Sequence, residues 1–176
     1  MAAEPFALDA LDITLLRALE ENPRAGVLQL SRLTRVARAT VTARMNRLEA
    51  AGVVTGYGPQ INMAAAGYPV QAFITLEIAQ GGLEDVAEHL TDVPGVLEAY
   101  ATTGAGDVLC KIAATSHEDL QATLLQLNRS SSIRRSTSVI VLSTVVATRT
   151  LPLLAHGEHP DPPRAPEYRP EQSRNS

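Results

Sequence analysis

Apolar residues in the first fifty positions recur at intervals of three and four, the spacing that buries one face of a helix. A first helix is expected over about 8–21, capped by Asp9 or Asp12 and ended by an Asn-Pro pair. A second is expected over about 27–34 and a third over about 38–51, where a glycine follows. Three short helices with tight joins predict a helix-turn-helix.

Between residues 53 and 149 the pattern changes to alternating strands and helices. The β-branched and aromatic runs that indicate strands lie at 70–78, 96–102, 108–114 and 139–148. Helical spacing returns at 83–90 and 117–127. The order β-α-β-β-α-β is that of a ferredoxin-like domain, and together with the first helices it predicts an α+β protein.

These patterns divide the chain into four expected parts. A helix-turn-helix domain over 1–54 is followed by a linker over 55–69 and the ferredoxin-like domain over 70–150. The last part, 151–176, has six prolines and few apolar side chains after Leu154. It cannot bury enough apolar surface to fold alone, so we expect a disordered Pro-rich tail.

Charge and composition narrow the possible functions. The chain has 176 residues, is 45% hydrophobic and 3% aromatic, and carries a formal charge of −4 at pH 7. The charge is uneven, since residues 1–55 sum to +1 and residues 56–150 to −4. A global basic signature for nucleic acid is absent, so any such binding must come from a local patch.

The single cysteine, Cys110, excludes an intrachain disulfide and a cysteine-cluster metal site, and we interpret it as a buried apolar residue. No apolar run approaches the ~18 residues of a membrane span. The N-terminus lacks the basic region that precedes the apolar stretch of a signal peptide. We therefore expect a soluble cytoplasmic protein with no membrane partner.

A local basic patch runs from Arg32 to Arg47, with five arginines and no acidic residue. Residues near the start of the third helix suit base edges in a major groove, and those further along suit phosphates. A solvated basic face on a structural helix bundle is the alternative, but the helix-turn-helix pattern favours DNA. The predicted DNA-binding residues are Arg35, Arg38, Ala39, Thr40, Thr42, Arg44 and Arg47.

Three segments carry a family resemblance: LDALDITLLRALEENPRAG, TVTARMNRLEAAGVVTGYGPQIN and TTGAGDVLCKI. Over about residues 8–150 the chain resembles the Lrp/AsnC, or feast/famine, transcriptional regulators. The resemblance implies a winged-type helix-turn-helix, a linker strand, and a ferredoxin-like domain that dimerises and binds small effectors. It also implies a homodimer assembling to a higher oligomer, commonly an octamer, and an amino acid as the effector.

Two positions depart from the family pattern. Arg35 stands where the family usually has glycine in the turn, and Ala37 stands where it usually has a serine cap. Loss of a serine cap costs about 1 kcal/mol, and a left-handed conformation at Arg35 would cost about as much. We therefore expect a strained or differently shaped turn.

The stretch TTGAGDV is the candidate effector loop. The resemblance implies that Gly104 and Asp107 match the family's G-x-x-D. Asp107 suits the ammonium of an amino acid, and freed backbone N–H groups suit its carboxylate. A plain hairpin is the alternative, whereas a phosphate loop is disfavoured because no Lys-Ser/Thr follows. The predicted effector-binding residues are Thr102, Thr103, Gly104, Gly106, Asp107, Ser136, Thr137 and Ser138.

The remaining features indicate no catalysis. Neither a nucleophile–base arrangement nor a carboxylate pair is apparent, so we expect no enzyme and no cofactor. His156 and His159 could bind a metal with Glu158, which leaves a metal-responsive regulator as one alternative. An architectural DNA-binding protein is another. The main prediction is a sequence-specific transcriptional regulator that binds a double-stranded DNA operator and is modulated by an amino acid.

Overall fold

The computed structural model describes residues 6–162. Within these residues the chain forms two compact units, a helical unit made of residues 6–59 with 148–162 and a sheet unit made of residues 60–147. The boundaries at residues 54, 69 and 150 stay predictions, and residues 148–162 group with the helical unit.

The helical unit contains the helix-turn-helix, built from α1 (Ala10–Glu21), α2 (Val27–Thr34) and α3 (Arg38–Ala50). One apolar cluster joins these helices. It contains three fully buried side chains, Leu15 of α1 and Val41 and Leu48 of α3. Burial of each such side chain contributes about 1.5–3 kcal/mol to folding. The helix-turn-helix predicted from apolar spacing is confirmed.

Helix α1 begins with a reciprocal cap. The Asp9 carboxylate accepts a hydrogen bond from the backbone N–H of Asp12 at 3.0 Å, and the Asp12 carboxylate accepts one from the N–H of Asp9 at 3.1 Å. Two backbone donors that have no partner within the helix are thereby satisfied. Both acids named as candidate caps take part in this box.

Four strands and two helices build the sheet unit: β1 (Val70–Ile78), α4 (Leu83–Thr91), β2 (Val96–Ala101), β3 (Val108–Ala114), α5 (His117–Leu127) and β4 (Ile133–Ile140). The sheet is antiparallel with strand order β2-β3-β1-β4. Val86 of α4 and Leu127 of α5 pack on Ile74 and Ile112 in a shared core. The helices therefore cover one face of the sheet, and the ferredoxin-like architecture is confirmed.

The last strand lies earlier than its sequence pattern predicts, over Ile133–Ile140 and not 139–148. It pairs with β1 from Ile78 back to Ala72, and the final contact is the Val141 N–H to the Gln71 carbonyl at 2.8 Å. Since β1 begins at Val70, the residues directly after Val141 have no strand partner within residues 6–162. Leu142 is consequently 97% exposed. The polar run that forms β4 is tolerated because β4 is an edge strand with one covered face.

The predicted linker strand does not form between residues 55 and 69 of the single chain. Residues 55–62 have no regular secondary structure, and residues 63–67 form a turn. A strand needs a neighbour for its backbone groups, and none in the described part of the chain lies beside this segment.

At the start of the linker, the Tyr57 hydroxyl donates to the Glu49 carboxylate of α3. Burial and this bond raise the pKa of Tyr57 to about 12.

The expected disorder of the tail is wrong for its first part. Residues Leu151–His156 form a short helix, α6, which lies against α1. The Pro160 carbonyl then accepts the N–H of Ala10 at 3.2 Å. The contacts with α1 provide the partner surface that the tail's own composition lacks. Residues 163–176 lie outside the described residues.

Candidate DNA-binding and effector sites

The turn between α2 and α3 is strained at Arg35. This residue has φ 58° and ψ 32°, and it is the one non-glycine residue with positive φ in the described range 6–162. The turn is held by the Ser31 hydroxyl, which is buried and donates to the Val36 carbonyl at 2.5 Å. Because Val36 is itself buried in the core, the strained residue is fixed from both sides.

Helix α3 starts without a side-chain cap. Its N-cap residue, Ala37, has no side-chain hydrogen bond to the first turn. The first backbone N–H groups of α3 therefore have no capping oxygen from this position, and together with the helix dipole they favour an anion. The expected uncapped and strained turn is confirmed by this geometry.

One face of α3 is exposed and free of acids in its first two turns. Arg38, Ala39 and Thr42 are exposed, Thr40 is partly exposed, and Arg35 lies exposed just before them. Asn46, one turn beyond Thr42, is exposed on the same side and was missed by the sequence analysis. Its i, i+4 spacing from Thr42 was the available signal. Asparagine is suited to paired hydrogen bonds with adenine.

Arg44 is turned into the molecule. Its Nη1 lies 3.1 Å from Asp12 Oδ1 and also donates to Asp9 Oδ2, and its side chain is 11% exposed. The structure thus engages Arg44 with the two capping acids of α1, and it does not present this side chain as a free cation for phosphate. The sequence pattern alone groups Arg44 with the surface arginines because its acidic partners are distant in sequence but adjacent in space.

Arg47 shares part of this network. Its Nη2 donates to Asp12 Oδ2, and its guanidinium carbon lies 4.8 Å from the centre of the Phe6 ring. The Arg47 side chain is still 43% exposed. It therefore combines an internal ion pair with a surface position, unlike the nearly buried Arg44.

The Asp9–Arg44 pair stays charged. Burial opposes ionisation of Asp9, but the N–H of Asp12 and the Arg44 guanidinium hold the pKa of Asp9 below its ordinary value. Burial likewise opposes the charge on Arg44, while hydrogen bonds to Asp9 and Asp12 raise the pKa of Arg44. Each partner thus favours the charged form of the other.

The stretch TTGAGD forms a closed loop between β2 and β3. The N–H of Thr102 donates to the Asp107 carbonyl at 2.8 Å, and the Thr102 hydroxyl donates to the Gly106 carbonyl at 2.9 Å. Gly104 has φ 121°, which favours glycine at the tip. Thr102 is therefore engaged in shaping the loop, and Thr103 and Gly104 are exposed at its tip.

Gly106 and Asp107 fix this loop to β1. A Cβ atom on Gly106 would lie 2.1 Å from Thr75 Cγ2, so only glycine fits without movement. Asp107 Oδ2 accepts the N–H of Ile78 at 2.8 Å, and the N–H of Asp107 donates to the Leu76 carbonyl at 2.9 Å. Asp107 is exposed, and Oδ1 has no hydrogen-bond partner among residues 6–162.

The hydroxyl residues of β4 start near the same end of β1. Ser136 is the register partner of Leu76, whose other partner is Val108, the residue after Asp107. Ser136 and Val108 therefore lie two strand spacings apart, about 10 Å. Within one chain Ser136 thus reaches the end of the sheet that carries the loop. Thr137 opposes Thr75 on the other face, and Ser138 lies further along the strand.

The sheet face opposite the helices is open and carries exposed apolar side chains among polar and charged ones. Phe73 is paired across the sheet with Val139, and Leu109 is paired with Tyr100, so these side chains share that face. Phe73 is 41%, Tyr100 56% and Val139 63% exposed. Exposed aromatic and aliphatic side chains grouped in this way are typical of an interaction surface.

Residues 6–162 contain no cluster of three or more His, Cys, Asp or Glu side chains suited to a metal ion. His159 instead places its two ring nitrogens near the carbonyls of Leu8 and Leu154. Among the same residues, no helix is long and apolar enough to cross a membrane. Cys110 is fully buried, and burial raises the pKa of its thiol to about 11.

Comparison with known families matches both units. A model of winged helix-turn-helix DNA-binding domains matches residues 8–55, and a model of the Lrp/AsnC ligand binding domain matches residues 71–151. The chain belongs to the Lrp/AsnC family. It is therefore a DNA-binding transcriptional regulator with a ligand-binding domain, as the resemblance implied.

Individual Lrp/AsnC members support the same assignment. The HTH-type transcriptional regulator FL11 of Pyrococcus horikoshii is 30% identical over 146 residues, which cover 83% of this chain and 97% of that protein. Escherichia coli AsnC has a TM-score of 0.77 at 26% identity, covering 84% of this chain and 100% of its own. A transcriptional regulator from Neisseria meningitidis, solved in complex with L-methionine, has a TM-score of 0.76 at 29% identity, covering 85% and 99%.

Proposed function

We propose that this Lrp/AsnC regulator reads a double-stranded DNA operator with the exposed face of α3 and senses an amino acid at the β2–β3 loop. The observation that carries the sensing role is Asp107. It is exposed, its backbone and one carboxylate oxygen are fixed to β1, and its other oxygen is unengaged within the described residues.

The proposed DNA contacts start at the first turn of α3. Arg38 reaches base edges, and the small side chains of Ala39 and Thr42 let the helix approach the groove closely. Arg35 lies in the turn before the helix and contacts a phosphate, and Thr40 supports the same side. Asn46 joins this set because it is exposed one turn beyond Thr42.

Arg44 is assigned a different role from the one its position in the basic run suggests. Its ion pairs with Asp9 and Asp12 fix α3 against α1. Arg47 contacts phosphate with the exposed part of its side chain while its Nη2 remains paired with Asp12. Together these two arginines hold the recognition helix and extend its basic edge.

The proposed effector is a free amino acid, bound through both of its charged groups. Asp107 accepts the ammonium through Oδ1, and the exposed N–H groups at Thr103 and Gly104 hold the carboxylate. Ser136 lies at the same end of the sheet, and Thr137 and Ser138 add hydroxyls from β4. The complex of the Neisseria meningitidis relative with L-methionine supports this ligand class.

The open sheet face is the proposed dimer surface. Phe73, Tyr100 and Val139 leave an apolar area uncovered in the single chain, and a second copy of this chain presents the same surface. A dimer spaces two helix-turn-helix units for two half-sites of one operator. Further assembly to an octamer, the size common in the family, completes the proposed regulator.

The sensing role is tested by a thermal-shift screen of the twenty amino acids, followed by calorimetry on Asp107→Asn. An amide oxygen still accepts the Ile78 N–H, so this variant keeps the loop and removes the charge. An amino acid at ~100 times its Kd stabilises the wild type by roughly 2.7 kcal/mol. We expect this shift to vanish in Asp107→Asn.

A matched control is Asp92→Asn, the same change at the exposed residue that ends α4. It should bind the effector like the wild type. Unchanged effector affinity in Asp107→Asn would remove Asp107 from the site. A screen in which no amino acid stabilises the wild type would contradict the proposed ligand class.

A further inference from the structure

Residues 152–162 lie beyond the family match and belong to the helical unit. The ligand-binding domain model ends at residue 151, whereas the structure continues through α6 to residue 162. Helix α6 lies against α1, and residues 157–160 then reach the start of that helix. We call residues 151–160 the C-terminal strap.

The strap holds both neighbours of Asp9. His159 Nδ1 lies 3.3 Å from the Leu8 carbonyl oxygen, on one side of Asp9. The Pro160 carbonyl accepts the N–H of Ala10 at 3.2 Å, on the other side. The Ala10 N–H is one of the first donors of α1, which have no acceptor within the helix. The strap thus supplies an acceptor that the helix itself lacks.

Asp9 connects this contact to the recognition helix. Its carboxylate caps α1 and accepts a hydrogen bond from Arg44, whose side chain comes from α3. Asp12 accepts from Arg44 and Arg47 and is fully buried. The described contacts therefore form a continuous path from the strap, through the first residues of α1, to α3.

We propose that the C-terminal strap is a positioning element for DNA reading, with His159 as its positioning residue. By fixing residues 8–10 it fixes the Asp9 carboxylate, and through Arg44 it sets how α3 lies on the helical unit. A small displacement of α3 misplaces Arg38 and Thr42 relative to base edges, while contacts to phosphate tolerate it better. The strap thus favours sequence-specific over non-specific binding; this rests on the proposed reading of DNA by α3.

The test compares two truncations and two substitutions. One truncation ends the chain after Thr150 and removes the strap; the matched one ends it after Pro162 and keeps the strap. His159→Ala removes the contact to Leu8, and His156→Ala changes an exposed histidine of the same segment as its control. The probes are a duplex selected by the wild type from random DNA and a scrambled duplex of equal composition.

The measured quantity is the ratio of the two affinities, together with the melting temperature of each variant. Loss of the strap should lower this preference about tenfold, the effect of one poorly read base pair. His159→Ala should lower it in the same direction, and the two controls should keep it. His159→Ala also serves if the shorter truncation fails to fold.

Two results would overturn the proposal. One is an unchanged preference in both strap variants. The other is an equal loss of both affinities that follows the melting temperature, which would make the strap a stabiliser of α1 only. Arg38→Ala in the full chain separates this from failure of the proposed function, because that variant loses the preference only if α3 reads the DNA.

Discussion

Arg44 Nη1 lies 3.1 Å from the Asp12 carboxylate, which is fully buried at the start of α1. The pair joins the recognition helix to the first helix across 32 residues of sequence. A side chain in the middle of a basic run therefore serves the interior of the domain. Arg38 and Arg47 of the same helix are exposed, so the arginines of this run have different environments.

The first prediction concerns Arg44→Ala. Removing the guanidinium leaves the carboxylates of Asp9 and Asp12 with less compensation in a buried position, and such a loss costs about 3 kcal/mol. Urea unfolding should show this fall in the free energy of unfolding. Arg38→Ala is the control and should change it by less than about 0.5 kcal/mol. Equal stability of the two variants would contradict this structural role for Arg44 and favour its predicted contact with DNA.

The second prediction concerns Arg38→Ala in DNA binding. A lost base-edge contact should weaken binding to the preferred duplex by about 1–3 kcal/mol and relax the choice of base at one position. Fluorescence anisotropy with the selected and single-substituted duplexes measures both effects. Arg129→Ala removes an exposed arginine from the sheet unit and should leave the base preference unchanged. A uniform loss across all duplexes would instead indicate a phosphate contact.

The third prediction concerns the strained turn. Arg35 adopts φ 58°, where a side chain with a Cβ atom costs about 1 kcal/mol or more relative to glycine. Arg35→Gly should therefore raise the melting temperature. Arg35→Ala removes the same charge but keeps the Cβ atom, so it should not. A similar rise in both variants would assign the effect to charge and not to backbone conformation.

The fourth prediction concerns the close approach of Gly106 to Thr75. A methyl group at Gly106 would lie 2.1 Å from Thr75 Cγ2, and such overpacking costs roughly 1–3 kcal/mol. Gly106→Ala should lower both stability and effector affinity. Adding Thr75→Ser removes the Cγ2 atom and should restore much of the loss. Failure of this rescue would locate the cost in the Leu76 carbonyl, 3.3 Å away.

The fifth prediction concerns acid sensitivity at Asp9. Its folded-state pKa lies below the ordinary 3.8, despite the opposing effect of burial. The resulting stability is fully present above the unfolded-state pKa and is lost as the pH falls through the folded-state pKa. The stability gap between wild type and Asp9→Asn should therefore narrow below about pH 4. Urea unfolding across acidic pH measures this, and a constant gap would contradict it.

Periodicity predicted the helices and most of the sheet because burial imposes it directly on local sequence. The core positions Val41 and Leu48 follow the helical interval, and β1 and β3 are apolar where they face α4 and α5. Periodicity did not predict the position of β4, because backbone pairing with β1 determines which residues form this edge strand. Pairing with β1 selected the polar Arg134–Ser138 run over the more apolar residues after Val141.

The sequence pattern indicated where the candidate sites lie in the chain, but it did not indicate the long-range contacts within them. The loop that contains Asp107 was found from glycines and an acid, but its anchor on Ile78 lies 29 residues away. Arg44 was grouped with the surface arginines because its acidic partners are equally remote in sequence. Prolines and low apolar content hid the strap, whose contacts with Leu8 and Ala10 come from the opposite end of the chain.

The dimer proposed on the uncovered sheet face would make the stability of this regulator depend on its own concentration. Closing Phe73, Tyr100 and Val139 against a second copy adds the burial of their apolar surface to the stability of the assembled state. Mass action then makes the melting temperature rise with protein concentration. In the proposed dimer the separate chain is the less stable form, so dilution lowers the share of regulator that is able to pair two helix-turn-helix units.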